Sequence, residues 1–224
     1  MDVSFWIRFV NIIIIDIVLS GDNAVVIGMA SRKLPPPQRK KAVIFGTAGA
    51  VGLRIVLTAL ATWVLLIPYL KAIGGVVLAW IAFKLLIGDG EETSDIKAGH
   101  TLFTAVQTII IADFVMSLDN VLAVGGAAHG DFMLLLFGLG LSIPLLMVGS
   151  NAVAALMDQV PLLIYIGAGI LSYTAGTMII SEEAVQHRIA PVYYYLDWLF
   201  PLLLTAVILG LGIWWRKRLY QSII

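Results

Sequence analysis

Cysteine is absent from the 224 residues, which excludes a disulfide framework, thiolate metal sites and thiol redox chemistry. Charge is scarce. Asp, Glu, Lys and Arg make up 12% of the chain, against about 25% in an ordinary soluble domain. No Gly-rich loop ending in Lys and Ser/Thr is present, so ATP hydrolysis within the chain is not expected. Most of the chain is apolar, 60% hydrophobic by residue. A chain this apolar has too little polar surface to cover itself in water. The composition excludes a nucleic-acid binder, a disordered tail and an ordinary cytosolic enzyme, and its length suits one compact membrane domain. Fourteen basic residues balance fourteen acidic ones, so the charges become informative only when placed along the chain.

A transmembrane helix needs about 20 mostly apolar residues. Seven stretches qualify, at about 5–30, 42–67, 69–88, 101–128, 132–156, 162–181 and 196–215. Pro68 and Pro161 stand at turns between helices. The first stretch lacks the basic n-region of a signal peptide and is too long for its h-region. Segment 32–41 carries Arg32, Lys33, Arg39, Lys40 and Lys41, and the C-terminal end carries Arg216, Lys217 and Arg218. With seven spans these two regions share a side, which the positive-inside rule assigns to the cytoplasm. The expected topology is a multi-pass plasma-membrane protein with its N-terminus outside and its C-terminus inside.

An internal repeat is the most specific feature. The run from Asp16 to Ala30, DIVLSGDNAVVIGMA, returns from Asp113 to Ala127 as DFVMSLDNVLAVGGA, with seven of fifteen positions identical. Weaker matches follow: Phe45-Gly46 with Phe137-Gly138, and Pro68, Leu70, Ile73, Gly74, Leu78 and Ala82 with Pro161, Leu163, Ile166, Gly167, Leu171 and Ala175. Helices one to three thus recur as helices four to six. Three is odd, so the second copy enters the membrane from the opposite side. The expected fold is an all-α polytopic membrane protein of seven transmembrane helices, two inverted three-helix repeats and one extra C-terminal helix. As a single membrane domain (1–224) it divides into repeat one at about 5–88, an acidic loop at 89–99, repeat two at about 100–181 and helix seven at about 196–216. Inverted repeats are the architecture of many secondary transporters, whose sites lie at the repeat interface near mid-membrane. A duplication kept for packing alone explains shared glycines but not paired carboxylates.

Asp16 and Asp22 lie inside helix one, and Asp113 and Asp119 inside helix four. A carboxylate at this depth costs several kcal/mol unless it is paired, protonated or facing water. Asn23 and Asn120 follow directly, and Ser20 and Ser117 precede by two. The bland alternative is a set of polar cross-links between helices, an even choice for the two Ser and a poor one for four Asp. Two facing copies gather an all-oxygen ligand set, Asp16, Asp22, Asn23, Asp113, Asp119 and Asn120, suited to Mg, Ca or Mn. Asp16 and Asp22 point about 120° apart on a straight helix. They therefore converge only across a wide polar cavity or where the helix breaks near Ser20–Gly21, although Leu118 replaces Gly21 in the second copy. His100, His129 and His187 fall near predicted helix ends, and Met29, Met116, Met133 and Met147 read as core filler.

Arg54 is the one basic residue deep in a helix, with Leu146 at its place in the second copy. It needs an acidic partner, and one of the four Asp is expected. Four Asp and one Arg sum to −4 + 1 = −3. Like charges this close favour proton uptake when a cation leaves, a route to proton-for-metal exchange. Arg54, Ser20, Ser117 and Asn151 are accessory candidates. Trp214 and Trp215 beside Arg216 read as an interface anchor, and Lys84 as a snorkelling residue.

The paired motifs Ser-Gly-Asp-Asn (20–23) and Ser-Leu-Asp-Asn (117–120), each with an Asp six residues before its second Asp, resemble the TerC family, integral membrane proteins of the lysine-exporter superfamily named for tellurium resistance. The resemblance spans about 5–217. It implies manganese(II) export, and in some members metal supply to secreted metalloenzymes. It carries over Asp16, Asp22, Asn23, Asp113, Asp119 and Asn120 as metal-site residues.

The leading reading is a secondary transporter exporting Mn²⁺ from the cytosol, coupled to a proton gradient. No enzymatic activity and no permanent cofactor are expected, Mn²⁺ being the transported substrate. The expected partners are a divalent metal ion and the lipid bilayer, not nucleic acid, and a homodimer is left open. One alternative is an exporter of Ca²⁺, Mg²⁺ or an amino acid; another is a non-transporting accessory protein. An intramembrane aspartyl protease needs two Asp as an acid–base dyad, but four Asp, the trailing Asn and the symmetric repeat count against it.

Overall fold

The computed structural model of the chain describes residues 9–10, 21–64, 67–87, 101–128, 132–189 and 193–221. Among them every regular element is a helix: α1 (Gly21–Ser31), α2 (Pro36–Ala59), α3 (Ala61–Val64), α4 (Leu70–Ile87), α5 (Leu102–Ala128), α6 (Phe132–Gln159), α7 (Leu162–Ile180), α8 (Glu183–Ile189) and α9 (Tyr193–Gln221). Five described segments are long and apolar enough to cross a bilayer: Pro36–Ala59, Leu70–Ile87, Leu139–Gln159, Leu162–Ile180 and Tyr193–Arg216. The apolar run Leu102–Leu118 within α5 is shorter, and α1 has 11 described residues. The structure thus bears out a multi-pass helical membrane protein.

Local chemistry moves several expected boundaries. Segment 32–41 is not all loop, because α2 begins at Pro36 with prolines in its first turn. Proline has no N–H to lose there and its φ suits a helix start. Arg39, Lys40 and Lys41 therefore lie in α2. The second span is interrupted at Leu60 before the short α3. The connection expected as loop after span six contains α8, and the last helix starts at Tyr193 and runs to Gln221. Helix α5 is continuous from Leu102 to Ala128, so the second motif carries no break. The first motif's Ser20–Gly21 junction lies at the edge of the described residues, and the 89–99 loop lies outside them.

Close packing is made by glycine. A Cβ on Gly46 would meet Ile109 Cδ1 at 2.8 Å and one on Gly49 would meet Ile110 Cδ1 at 2.7 Å, which draws α2 onto α5. Gly28 faces Ser150, Val153 and Ala154 of α6. Gly75 faces the Ala175 carbonyl of α7 at 2.6 Å, and Gly176 faces Pro201 Cα of α9 at 2.5 Å. The core runs through Val26, Met29, Leu78, Ala112, Val115, Leu118, Leu171 and Met178.

One end of the bundle is basic. Arg39 pairs with Asp158 at 3.0 Å and also donates to the Arg32 carbonyl. Burial, then the nearby Arg216 charge, lowers the pKa of Arg32, and Asp158 opposes this. The starts of α2 and the ends of α1, α6 and α9 therefore meet at one face, joining the two basic regions as expected. Arg216 donates to Tyr165 Oη at 3.0 Å, and Arg218 stacks 4.1 Å from the Trp214 ring centroid. Lys84 lies 5.4 Å from the Trp80 ring, which suits a snorkelling side chain.

Candidate functional site

Thr47, Arg54 and Thr58 are spaced seven and four apart, so they share one face of α2, and all are buried. The glycine-mediated approach of α2 to α5 sets this face against Asp113 and Ser117, themselves four apart on one face of α5. Arg54 Nη2 lies 2.6 Å from Asp113 Oδ1, and its Nε donates to Ser117 Oγ at 3.0 Å. Ser117 Oγ donates to Asp113 Oδ2 at 3.2 Å. Arg54 is 1% exposed. An isolated charge at this depth is strongly disfavoured, and charge-assisted hydrogen bonds on both partners offset the desolvation. Among the described residues, Asp113 is an acidic partner of the kind expected for Arg54.

Helix α1 brings the first motif to the same place. Asp22 is half-buried, accepts the Asn23 backbone N–H at 2.9 Å, and lies within electrostatic range of Arg54 and Asp113. Asn23 is 2% exposed. Among the described residues neither its Oδ1 nor its Nδ2 has a hydrogen-bond partner, and the same holds for Thr47 Oγ1. A buried amide left unpaired costs about 1–3 kcal/mol, so its oxygen is available to a ligand.

The level of these groups follows from their neighbours. Ile27, Val43 and Ile109 cluster together. Asn23, Thr47 and Asp113 each stand one turn from a member of that cluster, on the side away from the basic face. Leu34, Ala42 and Ala105 form a second apolar layer nearer that face. A polar layer of Asn23, Thr47, Asp113, Arg54 and Ser117 is thus sealed from the basic end by two apolar layers. With Asp22 and Asp113 ionised, the described groups sum to −2 + 1 = −1.

The other expected site residues fall as follows. Asp16 and Ser20 lie outside the described residues, as does the side chain of Asp119, whose backbone is in α5. Asn120 is half-buried in α5. Asn151 stands apart from the polar layer: it is exposed and donates to the Met147 carbonyl at 2.8 Å. Among the described residues no three Asp, Glu or His side chains converge on a common point. His187 is exposed beside Glu183 on α8, while His100 and His129 lie outside the described residues. Met29 and Met116 pack in the core. Sequence reasoning missed Glu182, whose buried carboxylate accepts the backbone N–H groups of Tyr69, Lys71 and Ala72 at 3.2, 3.0 and 3.3 Å. The available signal was an acid directly after span six, at the membrane face where span three begins.

Fold and site together define a polytopic helical membrane protein with an ion-paired polar layer inside its bundle. The chain belongs to the TerC family of integral membrane proteins, whose model matches residues 1–219. It is 42% identical over 217 residues to the uncharacterized membrane protein YjbE of Bacillus subtilis, covering 97% of this chain and 99% of that protein. It is 27% identical to the uncharacterized membrane protein YceF of the same organism, over 70% of this chain and 64% of YceF. It is 29% identical to the UPF0053 inner membrane protein YoaE of Escherichia coli K12, over 72% of this chain and 35% of YoaE. No solved structure matches the chain.

Proposed function

We propose that the protein is a secondary transporter that exports a divalent cation, Mn²⁺ foremost, from the cytosol through the polar layer between its two halves. The observation that carries this reading is the buried set of Asp113, Arg54 and Asn23, with Asp22 within electrostatic range. A fixed ion pair alone would serve packing, but an unpaired amide oxygen beside carboxylates is a ligand set for a hard cation. Asp16, Asp119 and Asn120 complete the set in this proposal. Displacing a proton onto these carboxylates as the cation leaves would couple export to the proton gradient.

Helix pairing supports the inverted repeat. Exchanging α1, α2 and α4 with α5, α6 and α7 turns the α2–α5 contact into α6–α1 and α4–α5 into α7–α1, and both members of each pair occur. Gly46 faces Ile109 while Arg54 meets Ser117, so α2 and α5 run parallel. Helix α1 is joined to α2 by a short turn and runs against it, so α1 and α5 run in opposite directions. The positive-inside rule assigns the basic face to the cytoplasm.

The test is uptake of a panel of divalent metals into inverted vesicles. Wild type should accumulate Mn²⁺, while Asp22→Asn and Asp119→Asn should lose at least about ten-fold in rate, as for a transport step short of about 1.4 kcal/mol of binding. Equal uptake by vesicles with and without the protein would sink the transport reading in favour of an accessory role. Flux indifferent to a pH gradient would remove proton coupling alone.

A further inference from the structure

On the far side of the polar layer from the two apolar seals lies a cavity of about 220 Å³, lined by Leu70, Lys71, Leu118, Ser181, Glu182 and Glu183 among others. Two of its lining residues, Glu182 and Glu183, are acidic, with Lys71 beside them. The Glu182 carboxylate ties the end of α7 to the start of α4 through three backbone N–H groups, next to Tyr69 with φ of 61°. A positive φ at a non-glycine residue is held only where its surroundings enforce it. The volume holds on the order of seven waters at about 30 Å³ each, enough for a small divalent cation to recover an octahedral hydration shell.

Among the described residues, Leu118 lines this cavity and adjoins the site. It is 1% exposed and follows Ser117, which bonds Arg54. Its Cδ1 packs beside Gly74 of α4, 3.5 Å from where a Cβ there would stand. Toward the basic face the polar layer is closed by two apolar layers. Toward the cavity Leu118 is the apolar side chain that both follows the ion-paired group and lines the space. Repeat packing does not demand a leucine here, because the matching position in the first motif is Gly21, where a Cβ would meet nothing within 4 Å among the described residues.

We propose that this cavity is the outward exit vestibule of the transport path and that Leu118 is the apolar gate between it and the Asp113–Arg54–Ser117 cluster. The proposal rests on the transport reading above. It predicts that a cation leaving the cluster passes Leu118, rehydrates in the vestibule, and departs past Glu182 and Glu183.

The absence of cysteine makes single-cysteine labelling direct. Ser181→Cys and Leu118→Cys proteins are reconstituted in oriented proteoliposomes and exposed to an impermeant cationic methanethiosulfonate from either face, with Mn²⁺ at the cytoplasmic face or absent. Ser181→Cys should label from the outer face under both conditions. Leu118→Cys should label from the same face, at least ten-fold faster with Mn²⁺ present. Leu118→Trp should cut Mn²⁺ flux at least ten-fold and leave Mn²⁺ binding by the detergent-solubilised protein unchanged, which also shows that the variant folds. Labelling of Leu118→Cys only from the cytoplasmic face, or wild-type flux through Leu118→Trp, would overturn the gate. Wild-type protein without Mn²⁺ flux would remove the transport reading and this proposal together; wild-type flux with Leu118→Cys unlabelled removes the gate alone.

Discussion

Arg54→Leu is the most informative single perturbation, because leucine already occupies the matching position, Leu146, in the second repeat. Arg54 Nη2 and Asp113 Oδ1 are 2.6 Å apart. With the two charge centres about 4 Å apart, an effective dielectric near 20 gives an attraction of about 4 kcal/mol. Both groups are buried, so solvent screening does little to reduce this. Deleting one partner strips a buried group of its opposite charge, at a cost of about 3–5 kcal/mol. Arg54→Leu and Asp113→Leu should each therefore destabilise by that amount. The double variant, which removes both charges at once, should be close to neutral. The coupling energy from the cycle is expected to be about 3 kcal/mol or more. Equilibrium unfolding in mixed micelles measures all four corners, and oligomeric state by size exclusion checks that each variant folds. If the two single losses simply add, to within about 0.5 kcal/mol, the ion pair contributes no coupling and the account of Arg54 is wrong.

Three further outcomes follow from the packing. Gly75→Ala and Gly176→Ala should each destabilise by about 1–3 kcal/mol, since the new methyl would meet backbone atoms at 2.6 and 2.5 Å; Gly52→Ala, with nothing within 4 Å, should be neutral or better in the same unfolding assay. Glu182→Ala should destabilise by about 1.5–3 kcal/mol, the range for hydrogen bonds to a charged acceptor, and should loosen hydrogen exchange at the start of α4; unchanged exchange at Lys71 and Ala72 would refute the cap. Asp158→Asn should shift stability by less than about 1 kcal/mol, because the Asp158 side chain of its pair with Arg39 is 48% exposed.

The sequence alone determined that the chain is a membrane protein, because a composition this apolar cannot be solvated. It singled out Asp22, Asn23, Asp113 and Ser117 through a repeat of fifteen residues, and it required an acid near Arg54, because a lone guanidinium inside a bilayer is too costly. These are local or additive properties, legible from residue type and position. Setting Asp113 against Arg54 needed the register of α2 on α5, which the approach at Gly46 and Gly49 fixes across a sequence separation of 59. The continuity of α5 through Leu118 likewise belongs to packing, since the first motif's Gly21 invited a break that the second motif's leucine does not. Glu182 was illegible because its partners are backbone N–H groups more than a hundred residues away, and backbone donors leave no mark on the sequence. The unpaired amide of Asn23 was equally hidden, because whether a buried polar group finds a partner depends on which helices surround it, and only the tertiary structure decides that.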